Sequence, residues 1–269
     1  MSTVQPPKAL LTDVFGTVVD WRGTVVKHLT NSAKKALEAP PPASSSDAVA
    51  VVAVREAAAQ VSWADFAQRW RVTYYHFTQS YDPDKGPFKS VDEHHLDSLI
   101  ELVNEYNIQG LWTDDQLKEI SLIWHALDPW PDSAPGLRAL NDKFITATLS
   151  NGNTTLLADL ARHGNLEYTH LISAEDFKAY KPHPTVYLGA AEKLGLAPSQ
   201  CAMVAAHLGD LEAARGCGYQ TIYIDRPQEG DLDQDRNKAA RQWVDMWIDI
   251  DQPGFKEVAR RFGLLGSST

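Results

Sequence analysis

Apolar positions follow two different rhythms along this chain, and the change falls near residue 128. A short apolar run at about 8–15, containing Leu10-Leu11-Thr12-Asp13-Val14-Phe15, predicts a buried strand. From about 24 to 127 the spacing is helical throughout. Helices are predicted over Thr24 to Glu38, over the Ala/Val-rich stretch 48–60, over Ser62 to Ser80, and over Asp92 to Tyr106 and Thr113 to Ala126. The last two begin at polar residues suited to N-capping. In the third, Trp63, Phe66, Trp70, Tyr74 and Phe77 recur at helical spacing, which marks core with one or two members facing a pocket. His94-His95 reads as part of a solvated helix face, and the Pro/Ser run from Ala39 to Asp47 as a surface loop.

From Pro129 onward strands and helices alternate. Helices are predicted at Ser133–Asn141, Thr154–His163, Pro184–Leu194 and 208–216, and strands at Phe144–Leu149, Leu171–Ser173, Ala202–Ala205 and 219–224. A last strand–helix pair spans Trp247–Phe262. Such alternation predicts βαβ units and a parallel sheet. The first strand belongs to that sheet, and the helical block separates it from the rest. The expected architecture is α/β: a Rossmann-like parallel-sheet core (1–20 and 128–269) with an inserted α-helical cap domain (21–127). No internal repeat interrupts the pattern.

Composition narrows the function classes. A formal net charge of −10 disfavours nucleic-acid or anionic-membrane partners, which require clustered Lys and Arg. No apolar run reaches the length of a membrane span, and Met1 to Ala9 lacks the apolar stretch of a signal peptide. Cys201 and Cys217, the only two cysteines, suit a reducing, cytoplasmic setting rather than a disulfide framework. A homodimer through the helical block is compatible with this pattern.

Four segments of the expected core end in polar groups where strands terminate. They supply Asp13 and Thr17, then Ser150 and Asn151 before Gly152, then Lys181 in Tyr180-Lys181-Pro182-His183, and finally His207 and Asp210. In open α/β sheets the chemistry sits at the carboxyl ends of strands, which makes Asp13 the candidate nucleophile. Each residue also has a plainer reading. Asp13, Ser150 and Asn151 could cap turns, Lys181 could be solvated, and Asp210 could sit on the dipole of the following helix.

The four segments, in this order and with about one βα unit between them, resemble the haloacid dehalogenase superfamily over nearly the whole chain. The family's phosphatases carry a second aspartate two residues after the nucleophile and another acid four before the position of Asp210. Here those places are Phe15 and Ala206. The pattern is instead similar to the 2-haloacid dehalogenase branch, which uses no metal and no cofactor. That resemblance implies a small carboxylic-acid substrate and a set of roles. Asp13 forms an ester at the substrate's α-carbon; Thr17 and Ser150 orient the nucleophile or hold the substrate carboxylate; and Lys181 neutralises Asp13. Asn151 and a cap arginine, Arg71 ahead of Arg69 and Arg22, receive the halide. Val14, Phe15 and Tyr187 border the substrate, and Asp210 holds or activates water. Ala205 and His207 depart from the serine and asparagine of the branch, and His207 is expected to shuttle a proton. Ring opening of a small cyclic amino acid such as azetidine-2-carboxylate is the alternative with the same machinery. A magnesium-dependent phosphatase or a non-catalytic ligand-binding member follows behind.

Overall fold

Five short strands form one parallel sheet in the order β2-β1-β3-β4-β5: β1 Ala9–Thr12, β2 Ile145–Thr148, β3 Cys201–Ala205, β4 Gln220–Ile224 and β5 Met246–Ile248. In the computed structural model, residues 6–40, 48–83, 85–230 and 234–266 are described. Every residue of β1 and β3 is buried, which is why these strands read as continuous apolar runs rather than as alternation. β1 lies between β2 and β3, with Leu11 opposite Ala147 on one side and Met203 on the other. The chain therefore turns to opposite sides of β1, and a crevice opens at that strand's carboxyl end.

Between β1 and β2 run α1 (Trp21–Glu38), α2 (Ala48–Gln60), α3 (Trp63–Ser80), α4 (Val91–Glu105), α5 (Asp114–Ser121) and α6 (Ser133–Leu140). After β2 come α7 (Thr154–His163) and α8 (Pro184–Lys193), then α9 (Leu208–Gly216) after β3, α10 (Gln234–Ala240) after β4 and α11 (Gly254–Arg261) after β5. This is an α/β Rossmann-like core with an α-helical cap inserted after its first strand. Ser90 with Glu93 and Thr113 with Gln116 form capping boxes that fix the starts of α4 and α5. Among the described residues, no helix is long and apolar enough to cross a membrane.

Four local expectations change. α1 starts at Trp21 rather than at Thr24, because the Asp20 carboxylate accepts the Gly23 N–H at 2.8 Å as an N-cap. That places Trp21 and Arg22 on a helix turn next to the crevice. The helix expected over Thr113–Ala126 tightens into a 3₁₀ turn at Leu122–His125. Residues 171–173 form no full strand; the segment meets the sheet only through the single bridges Ala147–His170 and Ser150–Ser173. α10 had no counterpart in the sequence pattern. Of the Pro/Ser run, residues 41–47 lie outside the described residues.

His95 is not on a solvated face. It is 1% exposed and stacks on Trp124 at 4.4 Å. Trp124 in turn stacks on Trp21 at 6.0 Å and meets Trp70 and Phe15 edge-on at 5.4 and 5.9 Å. This aromatic cluster seats α3 and α4 on the loop that follows β1. Trp70 is anchored there by its indole N–H, which donates to the His95 carbonyl at 3.1 Å.

Candidate active site

Asp13 is the first residue beyond β1, and its backbone N–H continues the ladder to the Val204 carbonyl at 2.9 Å. Its carboxylate is 10% exposed and accepts from three side chains. Lys181 Nζ donates to Oδ1 at 2.9 Å, Thr17 Oγ1 to Oδ2 at 2.8 Å, and His207 Nδ1 lies 3.2 Å from Oδ2. Burial alone would push this carboxyl up, but the lysine charge beside it and the bonded His207 hold it far below the usual carboxylate range. Thr17 is fixed in turn, since its hydroxyl accepts the Ala206 N–H at 2.9 Å.

Lys181 has no freedom to leave. Its backbone N–H donates to Asn151 Oδ1 at 2.7 Å and its carbonyl accepts from Asn151 Nδ2 at 3.3 Å. The ammonium bridges to Asp210 Oδ2 at 2.5 Å, and Tyr187 donates its hydroxyl to Asp210 Oδ1 at 2.6 Å. Burial works against the ammonium, yet the two carboxylates outweigh it and raise the lysine above its ordinary value. Burial raises Asp210, and Lys181 offsets this only in part. One lysine thus separates two carboxylates of different proton affinity, with Asp13 the more acidic.

His207 precedes α9 and joins Asp13 to Glu229, whose Oε2 lies 3.1 Å from His207 Nε2. The other oxygen of Glu229 accepts the Trp21 indole N–H at 2.6 Å. Desolvation disfavours the imidazolium, but the bonds to Asp13 and Glu229 and their charges push the ring up to about 9. Gly16 makes room for this carboxylate: a Cβ there would fall 2.3 Å from Glu229 Oε2, and its backbone has φ +82°. Glu229 was not among the sequence candidates. It lies in the loop after β4, 208 positions from Trp21, and nothing in its local sequence marks it.

These groups face a cavity of about 500 Å³ whose wall includes Asp13, Asn151, Lys181, Tyr187, His207, Asp210 and Glu229 from the core. Trp21, Arg22, Gln68, Arg71 and Tyr74 border it from α1 and α3. The Arg71 guanidinium carbon sits 4.5 Å from the Tyr74 ring centre and 5.5 Å from those of both Phe15 and Trp21. Of its rivals, Arg69 points away to Glu105 at 3.4 Å, while Arg22 lies on the Trp21 ring at 4.7 Å. Phe15 and Val14 are buried behind the wall, as are Thr17 and Ser150, both 0% exposed. The Ser150 hydroxyl accepts the Gly152 N–H at 3.2 Å and so serves its own turn. Gly152 packs closely there, since a Cβ would come 3.2 Å from Leu156 Cδ2 and 3.3 Å from the Phe15 ring.

Among the described residues, no group of three or more His, Cys, Asp or Glu side chains could hold a metal ion. Asp13 and Asp210 converge on an ammonium instead, and Phe15 and Ala206 add no side-chain oxygen. The arrangement is suited to attack by an ionised carboxylate on an anionic substrate, with guanidinium groups ready for developing negative charge.

Comparison with known proteins agrees with the fold. The family model of haloacid dehalogenase-like hydrolases matches residues 7–218. The chain is 29% identical over 235 residues to (S)-2-haloacid dehalogenase 1 of a Pseudomonas species (strain CBS-3), covering 84% of this chain and 89% of that protein. A crystal structure of a defluorinating L-2-haloacid dehalogenase superposes with a TM-score of 0.76 at 31% identity, over 95% of this chain and 94% of the other. A further L-2-haloacid dehalogenase gives 0.79 at 32% identity, over 96% and 100%. With its motifs, its fold and a family match over most of its length in agreement, this chain belongs to the haloacid dehalogenase-like hydrolases.

Proposed function

We propose that this chain is a 2-haloacid dehalogenase that works through an ester on Asp13. The observation that carries this reading is a single ionised, desolvated carboxylate held by Lys181, Thr17 and His207 at the floor of an arginine-bearing aromatic cavity. The names of the similar proteins support the substrate class and make the (S) enantiomer the first to test. The working division is a core of 1–20 and 128–269 beneath a cap of 21–127.

In the first step an Asp13 oxygen bonds to the substrate's α-carbon while the carbon–halogen bond breaks and its electron pair leaves with the halide. Arg71, whose Nη1 is buried without a protein partner, receives that charge beside Asn151. Phe15 and Val14 back the wall and keep water from the nucleophile. In the second step water attacks the Asp13 carboxyl carbon. The original carboxylate oxygen leaves with the product as its hydroxyl, and the water oxygen stays on Asp13. One proton goes to the product hydroxyl and one is released.

The released proton requires a base. Once esterified, Asp13 carries no charge, so one of the two anions that keep His207 protonated is gone and the ring's proton affinity falls. His207, backed by Glu229, and Asp210, held by Tyr187, are the groups within reach. Thr17 and Ser150 keep the turns beneath the nucleophile in place.

The test is halide release from (S)-2-chloropropionate without added metal. Release is expected in the native protein and should fall at least about 10³-fold in Asp13→Asn, the scale of losing a covalent nucleophile. Magnesium-dependent phosphate release, or opening of azetidine-2-carboxylate with no halide activity, would replace this reading.

A further inference from the structure

Two segments of the helical cap meet the core helix α7 through a single imidazole. His125 closes the 3₁₀ turn that follows α5, and its side chain is 14% exposed. Nδ1 lies 2.8 Å from Asp159 Oδ2 on α7, and Nε2 lies 3.0 Å from Asp92 Oδ1 in the first turn of α4. An ionised carboxylate only accepts hydrogen bonds, so both contacts are bonds only when both ring nitrogens carry a proton, in the imidazolium. A neutral ring keeps one bond and turns a lone pair toward the other carboxylate, which replaces attraction by repulsion. Because the two acids sit on opposite nitrogens, they cannot close with the ring on one metal ion.

Both acids are also held from outside the ring. Asp92 Oδ2 accepts the Asn153 amide at 2.7 Å, and Asp159 Oδ1 accepts from Arg162 at 2.6 Å. Asn153 lies two positions beyond Asn151 of the cavity wall, so the contact seats α4 beside that turn. On the other side His125 follows Trp124, whose ring packs on Phe15, Trp21 and Trp70. α1 and α5 also pack on the 3₁₀ turn, and among the described residues neither brings a charged side chain to the ring. His95 is the other titratable ring nearby. Burial, with the charges of His94, Arg71 and His125, holds it well below its ordinary value, so it adds no charge. Asp128 bonds His163 of α7 at 3.0 Å, but these side chains are 61% and 39% exposed and solvent screens the pair. Burial works against a charged His125, yet the bonds to Asp92 and Asp159 and their charges outweigh it and raise the ring above its ordinary value.

We propose that His125 is a proton-controlled latch between cap and core, fastening α4 to α7 as an imidazolium and letting go of one of them when neutral. The folded protein holds this proton more tightly than the unfolded chain does. The latch therefore contributes fully below about pH 6.5, and its contribution is lost as pH rises through the raised value of the folded state.

The test compares native protein with His125→Gln, which keeps a side-chain amide but no charge. His207 and His163 titrate in both proteins, so their effects cancel in the difference of melting temperatures. That gap should be widest below about pH 6.5 and should shrink in alkali. Amide exchange read by mass spectrometry locates the effect. With His125→Gln as the control at each pH, native protection in α4 and α7 should fall by up to about tenfold for each unit by which folding raises the ring. Should His125→Gln fail to fold, Asp92→Asn takes its place. It removes one anion, so the loss of the His125 proton, followed by nitrogen NMR, should move to lower pH than in native protein. A gap that does not change with pH, exchange that changes equally in both proteins, or a native His125 ring that is neutral above about pH 6.5 would each overturn the latch. None of these readouts uses turnover, so the outcome is separate from that of the dehalogenase reading.

Discussion

Lys181 does not treat its two carboxylates alike. Asp13 has two further donors, Thr17 and His207, whereas Asp210 has one, the Tyr187 hydroxyl. The difference leaves Asp13 firmly ionised and Asp210 nearer to proton exchange. His207 carries a consequence for pH. Its folded-state value, raised to about 9, lies above its ordinary 6.5, so the folded protein binds the extra proton between those values. Stability from the Asp13–His207–Glu229 chain is therefore full below about pH 6.5 and is lost as pH rises through about 9. The ring is 31% exposed, so solvent screening reduces the effect. Melting temperatures of native protein and His207→Asn measured from pH 6 to 10 should converge at the alkaline end; a constant gap would contradict the charged-ring assignment. At this scale, sequence reasoning reached the residues at strand ends, because sheet topology gathers those positions. It missed Glu229, a loop carboxylate defined only by what it touches, and it misplaced His95, whose stacking on Trp124 comes from tertiary packing that overrides a polar label.

Among the elements, the turn after β1 does the most with the fewest residues. Gly16 accepts the Trp130 indole N–H on its carbonyl at 3.0 Å, adopts a left-handed backbone, and leaves the space that Glu229 occupies. Gly16→Ala would introduce about 1–2 kcal/mol of backbone strain and a clash with that carboxylate. The expected outcome is a melting temperature lower by a few degrees and a weakened alkaline transition of His207, because Glu229 is displaced; unchanged melting would contradict the close approach. The strands were legible because burial on both faces produces uninterrupted apolar runs, and α4 and α5 because polar residues mark their starts, although the cap of α4 falls at Ser90, two residues before the expected start at Asp92. The start of α1 was not, since Asp20 caps it one turn before the amphipathic pattern begins. Residues 171–173 have a strand-like composition but only single bridges to the sheet, a distinction made by neighbours rather than by the segment itself.

Across the whole molecule, the site depends on contacts that tie distant segments to the loop beneath Asp13. Arg226, 6% exposed, grips Asp132 with two bonds of 2.6 and 2.8 Å and donates Nε to the Thr17 carbonyl at 3.0 Å. Asp132 also accepts the Phe255 N–H at 2.7 Å, so one ion pair joins the loop after β1, the start of α6 and the start of α11. Arg226→Met should cost about 3–5 kcal/mol, because it leaves a buried carboxylate without its partner. Denaturant unfolding would register that loss, and a change below 1 kcal/mol would show the clamp to be peripheral. The parallel core and helical insertion were readable from the change of rhythm near residue 128, whereas Arg226 had no sequence signature, since its hydrogen-bond partners, Thr17 and Asp132, lie in two distant segments. All of this architecture converges on one claim, that Asp13 is covalently modified in each cycle. The direct test is turnover of (S)-2-chloropropionate in ¹⁸O-labelled water followed by peptide mass analysis. The account predicts ¹⁸O in the Asp13 carboxylate after repeated turnovers, with the first turnover delivering unlabelled oxygen to the product. Label in the product from the first turnover, with none in Asp13, would mean that water attacks the substrate directly and would contradict it.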